Sequence, residues 1–299
     1  MAQPSHIAYS DESYYTAERF RSIAAVSLET ARNRALCDCF SGILREAGVG
    51  EFKWSKLAQA RERFAALHLL DAVVQNALDG HLRVDVLIWD THDSRHAIPG
   101  RDDIANLQRM YYHLFKTLML YRWPSEGKWQ LHPDENSALD WGTLQSFLDS
   151  AGLTVSLQGD LWTDKGFAIR LLQEFRVVQI IEACSEDAPL CQVADLFAGL
   201  GAYSHAAYPN YEAWSDAQFG QSRLPGLSNG AEHETRPKLS NRERERCTVI
   251  DHLNKCCKRH RMNVGLESSR GFKTYDPRRP INFWPYEPQH PDDKAPLRG

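Results

Sequence analysis

Carboxylate side chains recur where predicted strands end, or on a helix that could pack against those strands. These acids are Asp11, Glu12, Glu51, Asp90, Asp134, Glu135 and Asp195. Asp195 is the most unusual, because it lies among the apolar residues of the helical pattern CQVADLFAGL at 191–200. A buried acid must be hydrated, paired with a cation or bound to a metal ion. Asp195 therefore requires a partner from elsewhere in the chain.

Convergence of three or four of these acids would create a site for divalent cations. Repulsion between close carboxylates raises a pKa or requires a cation. Mg²⁺ and Mn²⁺ prefer oxygen ligands, and two such ions about 4 Å apart can activate water and stabilise the leaving oxygen in phosphodiester cleavage. Taken singly, each acid is more typical of a turn, an N-cap or a hydrated strand end. The chemistry therefore depends on which acids the fold brings together.

The segment WDTHDSRH, residues 89–96, offers a second candidate ligand cluster. Its ionisable side chains include Asp90, His92, Asp93 and His96. The same composition is more typical of a polar loop. Spacing alone leaves open whether Asp90 or Asp134 joins the other acids.

The elements that must position these acids alternate between strand and helix patterns. Strand patterns cover 6–13, 20–29, 50–57, 82–91, 128–136 and 176–187. Helical spacing of apolar residues covers 28–48, 59–78, 101–122, 138–152, 189–205 and about 240–262. This alternation predicts an α/β domain with a mixed central sheet flanked by helices and entered by a hairpin.

Composition favours a soluble, cytoplasmic protein with no membrane partner. The chain has 299 residues, of which 42% are hydrophobic, and no apolar stretch reaches the length of a membrane span. The first residues lack the pattern of a secretory signal peptide. The seven cysteines lack the spacing of a secreted disulfide scaffold, so we expect reduced thiols.

The C-terminal part is basic, whereas the body is acidic. Between residues 236 and 279 there are 13 Lys or Arg and 5 Asp or Glu residues, and the rest of the chain has a net charge of −12. We predict a catalytic-type domain at 1–206, followed at 207–299 by a linker, a basic helical appendage and a Pro- and aromatic-rich tail that pack on the body. The tail aromatics could stack on bases, but pinning the tail to the body is the favoured interpretation.

The basic helix carries candidate nucleic-acid contacts. They are Arg242, Arg246, Lys255, Lys258 and Arg259. Cations along one helix could follow a phosphate backbone. The interleaved Glu243 and Glu245 are instead typical of a hydrated helix face, so both interpretations stay open.

The same helix also makes zinc binding conceivable. His252, Cys256 and His260 would share one helix face. The segment lacks the paired knuckles of common structural zinc sites, and its apolar stripe favours ordinary packing.

Four ordered motifs resemble the family called domain of unknown function 3800, whose members resemble the ribonuclease H-like fold. The motifs are YSDES at 9–13, EFKW at 51–54, HPDEN at 132–136 and CSEDAPLCQVADLFAG at 184–199, and they span about two-thirds of the chain. Tyr14 stands where many relatives have glycine after the first motif, so the turn there is expected to be wider.

The resemblance implies roles for particular residues. The metal ligands would be Asp11, Glu51, Asp134 and Asp195, which selects Asp134 rather than Asp90. Lys53 would contact a phosphate or neutralise the acids, because it follows Glu51 by two residues on one face of the predicted strand. Residues that would support the ligands by hydrogen bonding are Glu12, Ser185 and Gln192.

The resemblance also implies an activity. It indicates a metal-dependent phosphodiesterase that cleaves DNA or RNA with two Mg²⁺ or Mn²⁺ ions. The alternative is a catalytically silent module that binds nucleic acid or protein with the same fold. A homo-oligomer is compatible with either function.

Overall fold

A six-stranded mixed sheet forms the centre of the molecule. The computed structural model describes residues 3–13, 19–93, 102–123, 126–136, 138–158, 168–219 and 239–287. The strands are β1 (His6–Ser13), β2 (Phe20–Glu29), β3 (Leu82–Asp90), β4 (Gly127–Pro133), β5 (Leu153–Gln158), β6 (Ala168–Gln173), β7 (Phe175–Ile180), β8 (Val264–Gly265), β9 (Lys273–Thr274) and β10 (Ile281–Pro285). The central sheet has the order β10-β3-β2-β1-β4-β7.

The direction of the strands places β1 between one antiparallel and one parallel neighbour. β2 is antiparallel to β1 and to β3, whereas β4 is parallel to β1 and β7 is parallel to β4. The strand β10 adds to the other edge, parallel to β3. The C-terminal ends of β1 and β4 therefore lie side by side, and side chains that follow them can meet.

Helices cover both faces of the sheet. They are α1 (Asn33–Glu46), α2 (Ala60–Leu78), α3 (Asp103–Thr117), α4 (Trp141–Ala151), α5 (Pro189–Ala206), α6 (Tyr208–Phe219) and α7 (Asn241–Arg259). α1, α2, α5, α6 and α7 share one core with the sheet, whereas α3 and α4 form the other core. The predicted α/β class, with a mixed sheet flanked by helices, is confirmed. None of the helices in the described ranges combines the length and apolar character needed to cross a membrane.

The strand predicted at 50–57 is wrong. Residues 51–53 pair with no strand, although Lys53 has an extended backbone, and a 3₁₀ turn follows at Trp54–Lys56. The burial of this segment alternates, since Phe52 and Trp54 are buried while Glu51 and Lys53 are partly exposed. That alternation is what the sequence pattern detected. Its cause is docking on a helix, as described below.

The C-terminal segment is built into the same core as the body. Residues of α7 and of β10 belong to the hydrophobic core that contains α2 and α5. Phe283 on β10 is fully buried and stacks on Phe272, with 4.9 Å between ring centroids. A boundary at residue 206 therefore does not separate two cores. The predicted linker around 222–237 lies outside the described residues, as does the tail beyond 287.

α5 packs directly against the central sheet. Every residue from Pro189 to Ser204 is buried, and the helix packs on β1 and β2. A Cβ atom on Gly199 would lie 2.1 Å from the ring of Trp54, so only glycine allows this approach. The close approach positions Trp54 over the part of α5 that carries Asp195.

We expect Gly199→Ala to lower the free energy of unfolding by about 1–3 kcal/mol, because the added methyl group must displace the indole ring of Trp54. Gly42→Ala is the matched control, since that position in α1 is open and alanine favours a helix by up to about 1 kcal/mol. Urea unfolding of both variants measures the difference. Equal stability of Gly199→Ala and the wild type would contradict the packing described here.

Candidate active site

Asp11 and Asp195 face each other between β1 and α5. Alternate residues of β1 point to opposite faces of the sheet, so Asp11 shares the α5 face with Ile7 and Tyr9. Both carboxylates are buried, with Asp11 6% and Asp195 8% exposed. Asp11 Oδ1 accepts a hydrogen bond of 2.7 Å from the backbone N–H of Glu12. The unusual helical acid thus lies close enough to a second acid to raise the pKa of that acid.

Two side chains of α5 hold the segment that carries Glu51 and Lys53. The backbone N–H of Phe52 donates to Gln192 Oε1 at 2.7 Å, and the backbone N–H of Trp54 donates to Asp195 Oδ2 at 2.5 Å. Gln192 and Asp195 are three residues apart, so they lie on one helix face. They satisfy alternate N–H groups of an extended chain, as a neighbouring strand would. This explains why the spacing resembles a strand without forming one.

The docked segment directs Lys53 toward the acids. Lys53 Nζ lies 3.2 Å from Asp134 Oδ2 and 3.6 Å from Glu51 Oε1. Asp134 continues from the end of β4, where its backbone N–H donates to the carbonyl of Ser10 at 2.8 Å. Burial lowers the pKa of Lys53, but the charges of nearby carboxylates raise it more, so the net pKa lies above its ordinary value. Lys53 therefore stays charged among the acids.

The acids perturb one another because they are close and poorly hydrated. Burial, followed by the charges of Asp195, Glu12 and Asp134, raises the pKa of Asp11 well above its ordinary value. Burial also raises the pKa of Asp195 to about 7, although the Trp54 N–H and Lys53 oppose the shift. Both shifts therefore reflect burial first and neighbouring like charge second.

Glu51 is held by hydrogen bonds on both of its oxygens. Ser185 Oγ donates to Oε1 at 2.7 Å, and Lys56 Nζ lies 3.2 Å from Oε2. Gln192 Nε2 in turn donates to the carbonyl of Ser185 at 2.7 Å. Burial raises the pKa of Glu51, but these hydrogen bonds and the nearby lysines lower it more, so the net pKa lies below its ordinary value. Ser185 and Gln192 thus both contact the segment predicted to carry a ligand.

Glu12 lies on the opposite face of the sheet from Asp11. Its carboxylate accepts hydrogen bonds from the hydroxyl of Tyr111 on α3 and, at 2.7 Å, from Asn136 Nδ2. Burial raises its pKa, and these two hydrogen bonds lower it in part. Asn136 was not singled out from the sequence, although it stands two residues after Asp134 in the same motif. Glu12 therefore links the end of β1 to Asn136 after β4, on the face of the sheet opposite Asp11.

Asp90 is not brought to the acids. It ends β3, and its Oδ2 forms an ion pair of 2.7 Å with Arg19 Nη2. Its Oδ1 accepts the backbone N–H of His92 at 2.9 Å. Two strands separate β3 from β4 in the sheet, so Asp134 rather than Asp90 lies beside Lys53. His96 lies outside the described residues.

The predicted nucleic-acid contacts divide into exposed and buried residues. The exposed side chains are Arg242, Lys255, Lys258 and Arg259. Lys255 pairs with Asp251 at 2.7 Å, and Lys258 pairs with Glu267 at 2.5 Å.

Arg246 differs from the other predicted contacts because it is buried. Its guanidinium lies 5.0 Å from the ring centroids of both Trp54 and Tyr203, and Nη2 donates to the Trp54 carbonyl at 3.1 Å. The nucleic-acid contact predicted at Arg246 therefore falls on a buried side chain, because local spacing does not distinguish a basic residue that stacks on two rings from one that faces water.

Comparison with curated proteins identifies two relatives in one archaeon, Methanothermobacter thermautotrophicus. The uncharacterized protein ORF2′ is 38% identical over 298 residues, which cover 97% of each chain. The chain belongs to the ORF2 family. The uncharacterized protein ORF2 of the same organism is 37% identical, again over 97% of both chains.

Comparisons with protein-family models and with solved structures do not extend this assignment. No protein-family model matches the ORF2-family chain, so the resemblance to domain of unknown function 3800 stays a prediction. A chain of the PCNA–RNase HII complex from Archaeoglobus fulgidus aligns with 77% of this chain and 82% of its own length, at 14% identity and a TM-score of 0.35.

Proposed function

We propose that the chain is a metal-dependent phosphodiesterase that cleaves DNA or RNA, built on a variant of the ribonuclease H-like fold. The proposal is supported by the order in which the acids enter the site. Asp11 comes from the first strand, Asp134 from the end of its parallel neighbour and Asp195 from a late helix. Glu51 comes from a segment docked on that helix. This is the order that the family resemblance implies.

The observation that carries the proposal is the charge balance around Lys53. Four carboxylates, from Asp11, Glu51, Asp134 and Asp195, perturb its pKa or one another's, and Lys53 offers a single positive charge. Two of these acids have raised pKa values because they are buried beside like charge. All the donors are carboxylate oxygens, which suit the hard cations Mg²⁺ and Mn²⁺. The chemistry of these donors therefore supports a site for divalent cations.

The four acids would hold two Mg²⁺ or Mn²⁺ ions, which supply an activated water and stabilisation of the leaving oxygen when bound. The rest of the chemistry belongs to the chain. The N–H of Trp54 orients one oxygen of Asp195, and Ser185 orients Glu51. Lys53 is placed to contact a substrate phosphate once cations occupy the acids. The exposed Arg242 and Arg259 are available to hold the polyanion.

The test combines metal binding with cleavage on the intact protein. Mg²⁺ or Mn²⁺ is titrated during thermal unfolding, and single-stranded DNA, duplex DNA, RNA and a hybrid are assayed for cleavage with and without the ion. Binding to the folded state alone adds about 2.7 kcal/mol of stability at an ion concentration of 100 times Kd. We expect both stabilisation and metal-dependent cleavage of at least one substrate.

Two other outcomes would count against the nuclease proposal. Retention of nucleic acid or protein without cleavage or metal stabilisation would favour the silent binding module. Metal stabilisation without cleavage of any of the four substrates would overturn the nuclease proposal while keeping the cation site.

A further inference from the structure

A second cluster of metal-ligating side chains lies between α2 and α7, away from the acids. Asp71 on α2 and His252 and Cys256 on α7 each offer one ligand atom, and these atoms lie within 4.8 Å of one another. Cys256 is buried, His252 is partly buried and Asp71 is exposed. His252 and Cys256 are four residues apart, so one helix face presents both toward α2. This cluster takes no part in the proposed nuclease chemistry.

The separations between the ligand atoms fit a tetrahedral ion. Cys256 Sγ lies 3.6 Å from Asp71 Oδ1 and 3.7 Å from His252 Nε2. A tetrahedral Zn²⁺ with Zn–S of about 2.3 Å and Zn–N or Zn–O of about 2.1 Å holds sulfur about 3.5 Å from the other two atoms. Asp71 Oδ1 and His252 Nε2 are 2.7 Å apart because they share a hydrogen bond. Rotation of the exposed Asp71 side chain can open that distance to about 3.4 Å, as the same geometry requires.

We propose that Asp71, His252 and Cys256 form a zinc site that ties α7 to α2. Thiolate and imidazole ligands select Zn²⁺ over Mg²⁺, which demands oxygen ligands. Binding releases the thiol proton of Cys256 to solvent, while His252 binds as neutral imidazole through Nε2 and carries its proton on Nδ1. The thiolate and the Asp71 carboxylate then balance the two charges of the ion. Three protein ligands leave the fourth position to water.

The proposed zinc site would influence the acids through α7. The same helix carries Arg246, whose guanidinium donates to the Trp54 carbonyl, and the Trp54 N–H donates to Asp195. Zinc binding would therefore stabilise the helix that supports this segment. The site itself requires no nucleic acid and no intact acidic cluster.

The experiment uses the full chain freed of transition metals, in a large excess of Mg²⁺ that occupies oxygen-only sites. Co²⁺ is added as a spectroscopic probe, and Zn²⁺ affinity is measured by competition with a chelator. We expect one Co²⁺ per chain with a thiolate-to-cobalt charge-transfer band. Zn²⁺ should displace the Co²⁺ and raise the unfolding temperature.

Two variants and two controls make the result decisive. Cys256→Ser should remove the charge-transfer band and weaken Zn²⁺ binding by more than about 100-fold. Loss of a residue that only hydrogen-bonds to a metal ligand costs up to about 100-fold in affinity, and loss of the ligand itself should cost more. Asp71→Asn, at an exposed position, should weaken binding by at least about tenfold and decides the case if Cys256→Ser fails to fold. Cys39→Ser, which removes an exposed thiol on α1, should change nothing.

Asp195→Asn should leave zinc binding intact, which separates this site from the proposed nuclease centre. A thiolate band that survives in Cys256→Ser, or Zn²⁺ binding that is equal in the wild type and Asp71→Asn, would show that the three side chains form only a hydrogen-bonded contact.

Discussion

Asp195→Asn is expected to lower the rate of phosphodiester cleavage by about 1000-fold or more, while the folded protein remains intact. The amide keeps the shape of the side chain and can still accept the Trp54 N–H. It removes a negative charge from the site where cations would be held. Loss of a single electrostatic stabiliser costs enzymes about 100- to 1000-fold in rate, and loss of a cation ligand should cost at least the upper value. Initial rates on the best substrate, at several Mg²⁺ or Mn²⁺ concentrations, measure the effect.

The same substitution should stabilise the protein when no divalent cation is present. Ionised Asp195 is buried beside Asp134 and Asp11, and a neutral amide removes this repulsion. We expect a gain of about 2–4 kcal/mol at pH 8 and loss of most of the stabilisation by Mn²⁺. Asp90→Asn is the matched control, because that acid pairs with Arg19 and two strands separate β3 from β4. If Asp90→Asn lost as much cleavage as Asp195→Asn, the assignment of the site would be wrong.

The stability of the metal-free protein should depend on pH in an unusual direction because of Asp195. Its pKa is about 7 in the folded protein and 3.8 as the ordinary value, so the folded state holds a proton that the unfolded chain has lost. The free energy of unfolding therefore contains a favourable contribution that is complete below pH 3.8 and is lost as the pH rises through about 7. Asp11 acts in the same direction, because its pKa is also raised.

Other groups oppose this trend, so the informative quantity is a difference. Burial lowers the pKa values of His6, His132 and His205. Such histidines reduce the free energy of unfolding of the protein as the pH falls below 6.5. The contributions of these histidines cancel when the free energy of unfolding of Asp195→Asn is subtracted from that of the wild type. We expect this difference to fall by about 2–4 kcal/mol between pH 4 and pH 8, as measured by urea unfolding with a chelator present. A difference that is constant with pH would mean that neither burial nor the neighbouring charges raise the pKa of Asp195.

Local patterns were sufficient to predict most of the elements. A short apolar run predicted β1, β-branched and aromatic residues predicted β2, alternation predicted β3, and helical periodicity predicted α2 and α5, because each of these signals is local to one element. The segment at 50–57 shows the limit of this reasoning. Its alternating burial is real, but the partner that satisfies its N–H groups is a helix face distant in sequence. The strands β5, β6 and β10 were missed, because short strands are specified mainly by the neighbours with which they pair.

The candidate acids themselves could be named from the sequence, because carboxylates at strand ends and on an apolar helix are costly without a partner. Residue type and order, together with a family resemblance, therefore determined which side chains to consider. Only the tertiary structure decided which side chains these residues contact. Asp134 lies beside Lys53, whereas Asp90 pairs with Arg19. Glu12 faces the opposite side of the sheet, and Arg246 is buried against Trp54. The physical reason is that charge interactions depend on distance and hydration in space, and neither is encoded by neighbours along the chain.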